Sequence, residues 1–493
     1  MMLSVLLLLL LVSGSQGSHF LGTMMTYYPK ETNADGSVSV ILRYKVNFDS
    51  CSYNDQWVCG GNCGNETQTL ALTKVEEVTG EWCQSEGIIT RLLPNNTGFE
   101  TVLAGGGWIN NIQNGVSSWR AVTDVELRNR SDIGKPNTSP QTTILPALRV
   151  PSNCPRNIDL LAFDPDGDTV KCRYGNTSDS ECNPCTPPSV LSLSPSCSLS
   201  FSPTNSSTEL PYAVQLVMED FPTQSITLTQ TNGLQEVKTT IDAISKIPLQ
   251  FVLKVGLPVP SCTDGLYLPR FLSPTPDNRA QLYIPVNQAL EIPIRAEATA
   301  SQSTELLYSG PYNVVKTSWG SGNFSLTWRP SVTEAGQSHP ICFVAQANVS
   351  GTFYHSDLRC VIVTVGNTTF IEDASTAGPL LTTTTPMTLP ATPPLVTTVG
   401  TVPATPPPVT TLGTVPATPP PVTSPMIAAT TPASGPQYVI ALNMKISTTL
   451  SLENDSDTII TLIKNKLIEK GLPSTITVRL LSSSQVVVTT ARP

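Results

Sequence analysis

Twelve cysteines between residues 51 and 360 constrain the fold of this chain more than any other feature of its sequence. An apolar run precedes them, with unbroken leucines at Leu6–Leu11 and small residues at Ser15 and Gly17. This pattern is typical of a signal peptide, so we assign Met1–Gly17 to one. An even number of cysteines behind such a leader predicts disulfides formed in the secretory pathway. We therefore expect a secreted, extracellular chain, either free or associated with the cell surface.

The spacing of the cysteines limits how they pair. Cys342 and Cys360 lie eighteen residues apart on strands that should be neighbours, so we predict a bond between them. The four cysteines from residue 51 to residue 83 should pair among themselves in one of three ways. The next two regions hold five and three cysteines, so either one bond joins these regions or one pair of thiols stays free. Zinc is disfavoured because neither Cys59–Cys63 nor Cys182–Cys185 is matched by a second ligand pair.

Apolar residues alternate with polar ones in several segments, which is the period of a half-buried strand. The longest such segment is Val38–Phe48, and others begin at Tyr212, Leu290 and Phe324. Turn residues such as Asn232-Gly233 interrupt the alternation. The pattern of an amphipathic helix emerges only after residue 450. Short alternating strands with frequent turns predict a mainly β protein built from antiparallel sandwiches.

An internal repeat and shifts in composition divide the chain into regions. Val150–Cys154 is echoed by Val259–Cys262, and Ser198–Pro203 by Ser325–Pro330, which predicts two successive sandwiches. A Pro/Thr-rich tract without charge follows them, and its composition favours an O-glycosylated, extended stalk. The predicted regions are a signal peptide (1–17), an N-terminal disulfide-bonded β domain (18–148), two tandem antiparallel β-sandwiches (149–258 and 259–369), a disordered mucin-like Pro/Thr stalk (370–437) and a small βαββ C-terminal unit (438–493).

Composition excludes several classes of function. Charged residues make up 13% of the chain, its net charge is −9, and it has no basic run. Nucleic acids and anionic membrane surfaces are therefore poor partners. After Gly17 no apolar stretch reaches the length of a bilayer span, so we expect no membrane span in this chain. With three histidines, no Gly-x-Ser-x-Gly motif and no phosphate-binding glycine loop, the sequence does not predict an enzyme.

Asp164, Asp166 and Asp168 place three carboxylates within five residues, which suits a hard cation such as calcium, with Asp220 as a further partner. The alternative is that Asp166-Gly167 only turns a hairpin, and apart from calcium we expect no cofactor.

Trp108 follows the glycine run Gly105–Gly107 and is the candidate residue for binding a sugar or a partner's pocket. The alternative is that its indole closes the core of the domain. Ten Asn-x-Ser/Thr sequons predict N-glycosylation, at Asn65, Asn95, Asn129, Asn137, Asn176, Asn205, Asn323, Asn348, Asn367 and Asn454.

Several of these motifs resemble those of one protein class. Asp164–Asp168, Val170–Arg173 and Glu219–Pro222, with the closing segments Pro340–Ala345 and Arg359–Val361, resemble extracellular animal proteins with tandem cadherin-like or immunoglobulin-like repeats. The resemblance covers about residues 150–366 and implies an architecture of β-sandwiches.

The C-terminal segment resembles the first half of a SEA domain, through its βαββ order and the run Ser484–Val488. Ser483 replaces the glycine of that family's self-cleavage motif and Gln485 replaces its first valine, so autoproteolysis is not expected. A free-standing βαββ cap explains the same residues.

Together these features predict a glycoprotein that acts as an extracellular binding or adhesion module, with an extracellular protein or glycan as its partner. Two alternatives stay open. The chain is a structural, mucin-like component of matrix or mucus, or its N-terminal domain binds glycans as a lectin does.

Overall fold

The computed structural model describes residues 18–67, 71–204, 206–301, 303–349, 351–366, 438–442, 460–461, 464–466, 468, 477–482 and 485–490. The predicted signal peptide and the predicted stalk lie outside these residues. The chain divides into two compact units, residues 1–379 and 380–493, which are described separately. The regular secondary structure of the described residues is almost entirely β-strand, and six disulfides join their cysteines, which confirms the predicted fold class.

The first nine strands of the larger unit belong to the N-terminal region. They are β1 (Ser18–Thr32), β2 (Val38–Phe48), β3 (Val58–Gly60), β4 (Asn65–Glu66), β5 (Thr73–Val78), β6 (Trp82–Leu93), β7 (Phe99–Trp108), β8 (Ser118–Val125) and β9 (Asn129–Arg130). The antiparallel pairs β1–β2, β2–β6 and β7–β8 form most of one half of a twelve-stranded sheet.

The next nine strands run from residue 147 to residue 256. They are β10 (Ala147–Pro151), β11 (Arg156–Asp159), β12 (Thr169–Tyr174), β13 (Leu191–Leu193), β14 (Ser198–Phe201), β15 (Leu210–Phe221), β16 (Ile226–Thr229), β17 (Gln235–Lys238) and β18 (Ser245–Gly256). One layer is the small sheet β11–β14–β13, and the other is β12–β15–β18, with β10 parallel to β18. β16 and β17 form a separate sheet with β9.

The N-terminal region and the first sandwich share a sheet. β18 of the first sandwich pairs with β1 and with β8 of the N-terminal region. The strand order of the shared sheet is therefore β12–β15–β18–β8–β7–β1–β2–β6–β4. β10 spans the expected boundary between residues 148 and 149. One cluster of buried apolar residues runs through both regions, from Phe20 and Leu42 to Val214 and Phe251.

The last nine strands of this unit form a second sandwich. They are β19 (Arg270–Leu272), β20 (Ala280–Pro285), β21 (Leu290–Glu297), β22 (Ser303–Ser309), β23 (Val315–Gly320), β24 (Asn323–Trp328), β25 (Ser338–Val349), β26 (Thr352–His355) and β27 (Arg359–Gly366), with a 3₁₀ helix at Val332–Glu334. The two layers are β19–β21–β24–β23 and β20–β27–β25–β22, and β26 pairs with β25.

The two sandwiches repeat one topology, but the repeat is longer than its first motif implies. In the first sandwich, β10 runs parallel to the closing strand β18, which belongs to the order β12–β15–β18. In the second, β20 runs parallel to the closing strand β27, which belongs to the matching order β22–β25–β27. β15 begins at residue 210 and β25 at residue 338. Val150–Cys154 and Val259–Cys262 therefore do not occupy equivalent positions. Their cysteines instead bond to each other.

All twelve cysteines are paired. The bonds are Cys51–Cys83, Cys59–Cys63, Cys154–Cys262, Cys172–Cys197, Cys182–Cys185 and Cys342–Cys360. The last of these joins directly opposed residues of β25 and β27, as the sequence predicted. Cys154–Cys262 is the bond that joins the two repeats.

The smaller unit contains an antiparallel sheet of β28 (Tyr438–Leu442), β29 (Thr477–Ser482) and β30 (Gln485–Thr490), in the order β28–β30–β29. Residues 460–461, 464–466 and 468 are helical, which matches the predicted βαββ order. Among the described residues, no helix has both the length and the apolar character needed to cross a membrane.

Candidate functional site

The predicted acidic segment forms a tight turn between β11 and β12. The backbone N–H of Gly167 donates to the carbonyl of Asp164 at 3.3 Å, and Gly167 has a positive φ of 88°. The Asp164 Oδ1 accepts hydrogen bonds from the backbone N–H groups of Asp166 at 2.8 Å and Asp168 at 3.2 Å. The turn that was the alternative to a calcium site is therefore present, and the carboxylate of Asp164 holds it together.

The turn also brings three carboxylates together. An oxygen of Asp164, one of Asp168 and one of Asp220 all lie within 4.8 Å of one another. Asp220, the further partner predicted from the sequence, lies near the end of β15. Asp166 faces elsewhere, because its carboxylate pairs with Lys135 at 2.6 Å and accepts from the backbone N–H of Thr138 at 2.6 Å. We call Asp164, Asp168 and Asp220 the acidic centre.

Two buried side chains from residues 129–138, Arg130 and Asn137, contact the acidic centre. Arg130 makes two hydrogen bonds to the carboxylate of Asp168 and a salt bridge of 2.7 Å to Asp132. Asn137 donates from Nδ2 to the Oδ2 of Asp220 at 2.6 Å. Neither Arg130 nor Asn137 is predictable from the sequence as a neighbour of these aspartates. Among the described residues, five aspartates lie here with the cations Arg130 and Lys135, so the locality carries an excess of negative charge when every group is ionised.

Burial makes that negative charge costly. Desolvation, and then the repulsion of Asp220, raises the pKa of Asp164 to about 8. Desolvation is also the main cause that raises the pKa of Asp220 to about 7, with repulsion from Asp168 as a smaller contribution. Asp164 is only 8% exposed, and its Oδ2 is buried without a hydrogen-bond partner among the described residues. An unpaired buried carboxylate oxygen favours the uptake of a cation or a proton.

A second concave site lies between the N-terminal region and the second sandwich. It is a cleft of about 350 Å³ between β2 and β6 on one side and the segment 312–337 on the other. At its base, Glu86 accepts from Arg43 at 3.0 Å, from Lys45 at 3.0 Å and from the backbone N–H of Tyr312 at 3.1 Å. On its wall, the Oε1 of Gln337 is buried with no hydrogen-bond partner in the part of the chain that the structure describes. The side chains that line the cleft are mainly polar, and among them Tyr312 and Thr333 are exposed.

Trp108 does not form a recognition surface, which corrects that prediction. Its side chain is only 2% exposed and meets the ring of Phe20 edge-on at 4.9 Å. The glycine run before it serves packing, because a Cβ on Gly105 would lie 2.6 Å from the indole of Trp119. The alternative considered for Trp108, closure of the core, is the one that the structure shows.

The structure places the candidate glycosylation sites in different environments. Asn65, Asn129, Asn176 and Asn323 are exposed, Asn95 and Asn348 are half-buried, and Asn205, Asn367 and Asn454 lie outside the described residues. Asn137 is completely buried, and its Nδ2 is the atom that a glycan would occupy. A glycan at Asn137 is therefore incompatible with this fold.

Each of the three histidines packs against an aromatic ring or is held by hydrogen bonds. His339 packs against the ring of Trp328, and His19 stacks on Tyr53 with the ring centroids 4.0 Å apart. His355 accepts from the backbone N–H of Arg149 at its Nδ1, and its Nε2 lies 2.9 Å from the Oε1 of Gln346. Burial lowers the pKa of both His339 and His355 well below the usual range.

Comparison with known proteins returns only weak structural likeness. No protein-family model and no curated protein sequence matches the chain. Among solved structures, immunoglobulin domains 1–4 of Sidekick-1 match with 9% identity over 62% of this chain and 70% of that one, at a TM-score of 0.16. The protocadherin γB4 extracellular domain matches with 11% identity over 64% of this chain and 43% of that one, at 0.17.

An endo-fucoidan hydrolase of glycoside hydrolase family 107 matches with 13% identity over 66% of this chain, at a TM-score of 0.16. The chain spans only 42% of the length of that hydrolase. Immunoglobulin-like and cadherin-like domains are thus among the structural neighbours, but superpositions this weak define no shared function.

Proposed function

We propose that the chain is an extracellular binding protein whose acidic centre takes up a calcium ion. The observation that carries the calcium proposal is the Oδ2 of Asp164, a buried carboxylate oxygen without a partner among the described residues, beside the carboxylates of Asp168 and Asp220. Oxygen ligands of this kind suit calcium. Closure of all twelve cysteines supports a location in an oxidising compartment.

Calcium at the acidic centre would connect distant parts of the sequence. Asp164 and Asp168 lie in the turn before β12, and Asp220 lies at the end of β15. Asn137, which bonds to Asp220, also lies 3.4 Å from the hydroxyl of Tyr27 in β1. A bound ion would therefore stabilise the contact between the first sandwich and the N-terminal region, where the two share a sheet.

Thermal unfolding of the full secreted protein in calcium and in a chelator tests this proposal. At a calcium concentration 100 times the dissociation constant, the gain is about 2.7 kcal/mol, and the unfolding temperature should rise by several degrees. Asp164→Asn should abolish the rise. Asp179→Asn, at an exposed aspartate outside the centre, is the matched control and should keep it.

Two results would decide against calcium. An unfolding temperature that is the same in calcium, magnesium and chelator would remove the ion from the proposal. If, in addition, Asp164→Asn left the unfolding temperature unchanged in all three solutions, a proton on Asp164 would be what satisfies the centre, because the neutral amide resembles the protonated carboxyl.

For the ligand of this binding protein, we propose a hydroxyl-rich molecule such as a glycan, held in the cleft. The exposed ring of Tyr312 and the exposed Thr333, which both line the cleft, support this assignment. A glycan-binding screen with the full protein and with Tyr312→Ala, at an exposed residue of the cleft, tests it. Loss of binding in that variant is expected, and binding that is unchanged would place the ligand elsewhere.

We also propose that the chain is not an enzyme. The pairing of every cysteine supports this, because it leaves no thiol nucleophile. The packing of His339 against Trp328 and the hydrogen bonds of His355 support it as well. The alternative role as a mucin-like structural component rests on the Pro/Thr tract, which lies outside the described residues, and stays a prediction.

A further inference from the structure

Trp319 is the one tryptophan of the chain with an exposed ring. It is 62% exposed, whereas the other five tryptophans are buried. It lies on β23, an edge strand of the sheet β19–β21–β24–β23. Val315 on the same strand is also exposed. An edge strand with exposed apolar side chains is open to pairing with other chains, and natural proteins usually protect such edges.

The hairpin from β23 to β24 places Trp319 opposite a candidate glycosylation site. Ser318 pairs with Phe324 and Gly320 pairs with Asn323, so the extra residue of the register shift is Trp319. In a bulge of this kind two residues oppose one, and here Trp319 and Gly320 together oppose Asn323. Ser321 and Gly322 form the turn with positive φ angles of 51° and 75°, as a two-residue hairpin loop requires.

The side chain of Asn323 is held at this turn. It is exposed, and its Nδ2 donates to the carbonyls of Gly320 at 3.3 Å and Ser321 at 3.2 Å. The Cβ atoms of opposed residues on neighbouring strands are about 4.5–5.5 Å apart. A sugar joined to Nδ2 would therefore begin within reach of the Trp319 indole.

We infer that Asn323 carries an N-linked glycan whose first N-acetylglucosamine packs on the ring of Trp319. In the modification, a bond forms between Nδ2 and the anomeric carbon of the sugar. The bond from that carbon to the diphosphate of a lipid-linked oligosaccharide donor breaks, the lipid diphosphate leaves, and the amide loses one proton. The C–H face of the sugar ring then covers apolar surface of the indole, which prefers such amphipathic neighbours. The remaining sugars solvate the β23 edge and block its pairing.

This inference rests on the extracellular part of the proposed function, since only a chain in the secretory pathway meets the glycan donor. It does not depend on calcium.

A cycle of variants in the full protein, secreted by cells that make high-mannose glycans, tests the contact. Asn323→Gln should lower the unfolding temperature by about 2 °C in the otherwise unchanged protein, because the loss of one contact shifts the midpoint less as the folded unit becomes larger. The same substitution made together with Trp319→Ala should add no loss beyond that of Trp319→Ala. An endoglycosidase that leaves only the first sugar should keep the unfolding temperature. Asn65→Gln is the control, because the cross-strand partner of this exposed site is Leu92 and not an aromatic residue.

Each other outcome overturns the inference. If glycopeptide mass spectrometry found Asn323 unmodified beside a modified Asn65, the inference would fail and the proposed function would stand. If Asn323→Gln lowered the unfolding temperature equally in the wild type and in the Trp319→Ala protein, a contact between the first sugar and Trp319 would be excluded. Retention inside the cell without any glycan would overturn the extracellular function together with this inference.

Discussion

At the scale of single residues, Gly22 shows how closely the N-terminal region and the first sandwich approach each other. It lies at a register shift in β1, with a φ of 120° that side-chain-bearing residues rarely adopt. A Cβ on Gly22 would lie 2.1 Å from the carbonyl oxygen of Gln250 in β18. Two residues further along β1, Met24 pairs with Leu249. The shared sheet therefore needs a glycine at this position.

Gly22→Ala should destabilise the protein by about 2–5 kcal/mol, because backbone strain and a clash with rigid backbone add together. Urea unfolding measures the loss. Gly80→Ala is the matched control, since Gly80 also has a positive φ, of 79°, but a Cβ there would meet nothing within 4 Å. Its cost should be about 1 kcal/mol. Equal losses in the two variants would show that the approach of β18 does not constrain Gly22.

The acidic centre shows how far single residues can be predicted. Asp164 and Asp168 could be found because they are close in sequence, and Asp220 could be suggested because it follows another acidic residue. Nothing local in the sequence distinguishes Arg130 from an exposed arginine. The sequon at Asn137 even predicted an exposed side chain, whereas tertiary packing makes that side chain a buried partner of Asp220.

At the scale of elements, β25 carries a buried histidine beside buried cations. The ring of His339 meets that of Trp328 with the centroids 4.9 Å apart. Burial lowers its pKa, and the charges of Arg43 and Lys45 lower it further. His339 is therefore neutral in the folded protein, while in the unfolded chain it takes up a proton near its ordinary pKa of about 6.5. The stability that depends on a neutral His339 is thus present above this pH and is lost as the pH falls below it.

His339→Gln should reduce the acid sensitivity of the protein. Between pH 7 and pH 5, a histidine that stays neutral when folded costs up to about 1.4 kcal/mol per pH unit below its unfolded pKa. The measurement is the free energy of unfolding in urea at pH 5, 6 and 7 for both proteins. Asp164 and Asp220 have raised pKa values and act with the opposite sign, so the comparison must be the difference between wild type and variant. Parallel pH profiles would contradict the assignment.

Strand β2 shows why the bounds of a strand are easier to predict from the sequence than the burial of its side chains. Its alternation from Val38 to Phe48 predicted the strand with its observed bounds, because period 2 is a local property of the sequence. The same pattern predicted that one face would be half-exposed, but Lys45 and Asn47 are buried. The other face is covered by contacts that come from far along the chain, and local periodicity carries no information about them.

At the scale of the larger unit, the second sandwich follows the first sandwich in the sequence, but it also packs on the N-terminal region. The hydroxyl of Tyr28 donates to the carbonyl of Ser338 at 3.0 Å, and the hydroxyl of Tyr308 donates to that of Val75 at 2.9 Å. Ser309 donates to the Oε1 of Gln84 at 2.6 Å. The predicted order of the domains implied contacts only between neighbours in sequence, whereas the structure also connects the N-terminal region with the second sandwich. Such long-range contacts depend on which surfaces fit together, and repeats or composition do not reveal that.

Glu86 also connects the N-terminal region with the second sandwich. It is completely buried, it pairs with Arg43 and Lys45 of the N-terminal region, and it accepts the backbone N–H of Tyr312 from the second sandwich. The two cations lower its pKa despite its burial. Glu86→Gln leaves Lys45 buried without a counter-charge and leaves Arg43 with Glu334 alone, which should cost about 3–5 kcal/mol. Glu77→Gln is the control, because the pair of Glu77 with Lys74 is exposed and worth at most about 1 kcal/mol.

Differential scanning calorimetry of the full protein separates the two variants. Because Glu86 lies between the regions, its loss should weaken their contact as well as their stability, so the main transition of the larger unit should fall in temperature and split into two. The Glu77→Gln protein should keep the wild-type transition. A Glu86→Gln transition that fell but stayed single would assign the charge cluster to stability of the N-terminal region alone, and an unchanged transition would show that the buried pair contributes nothing to either.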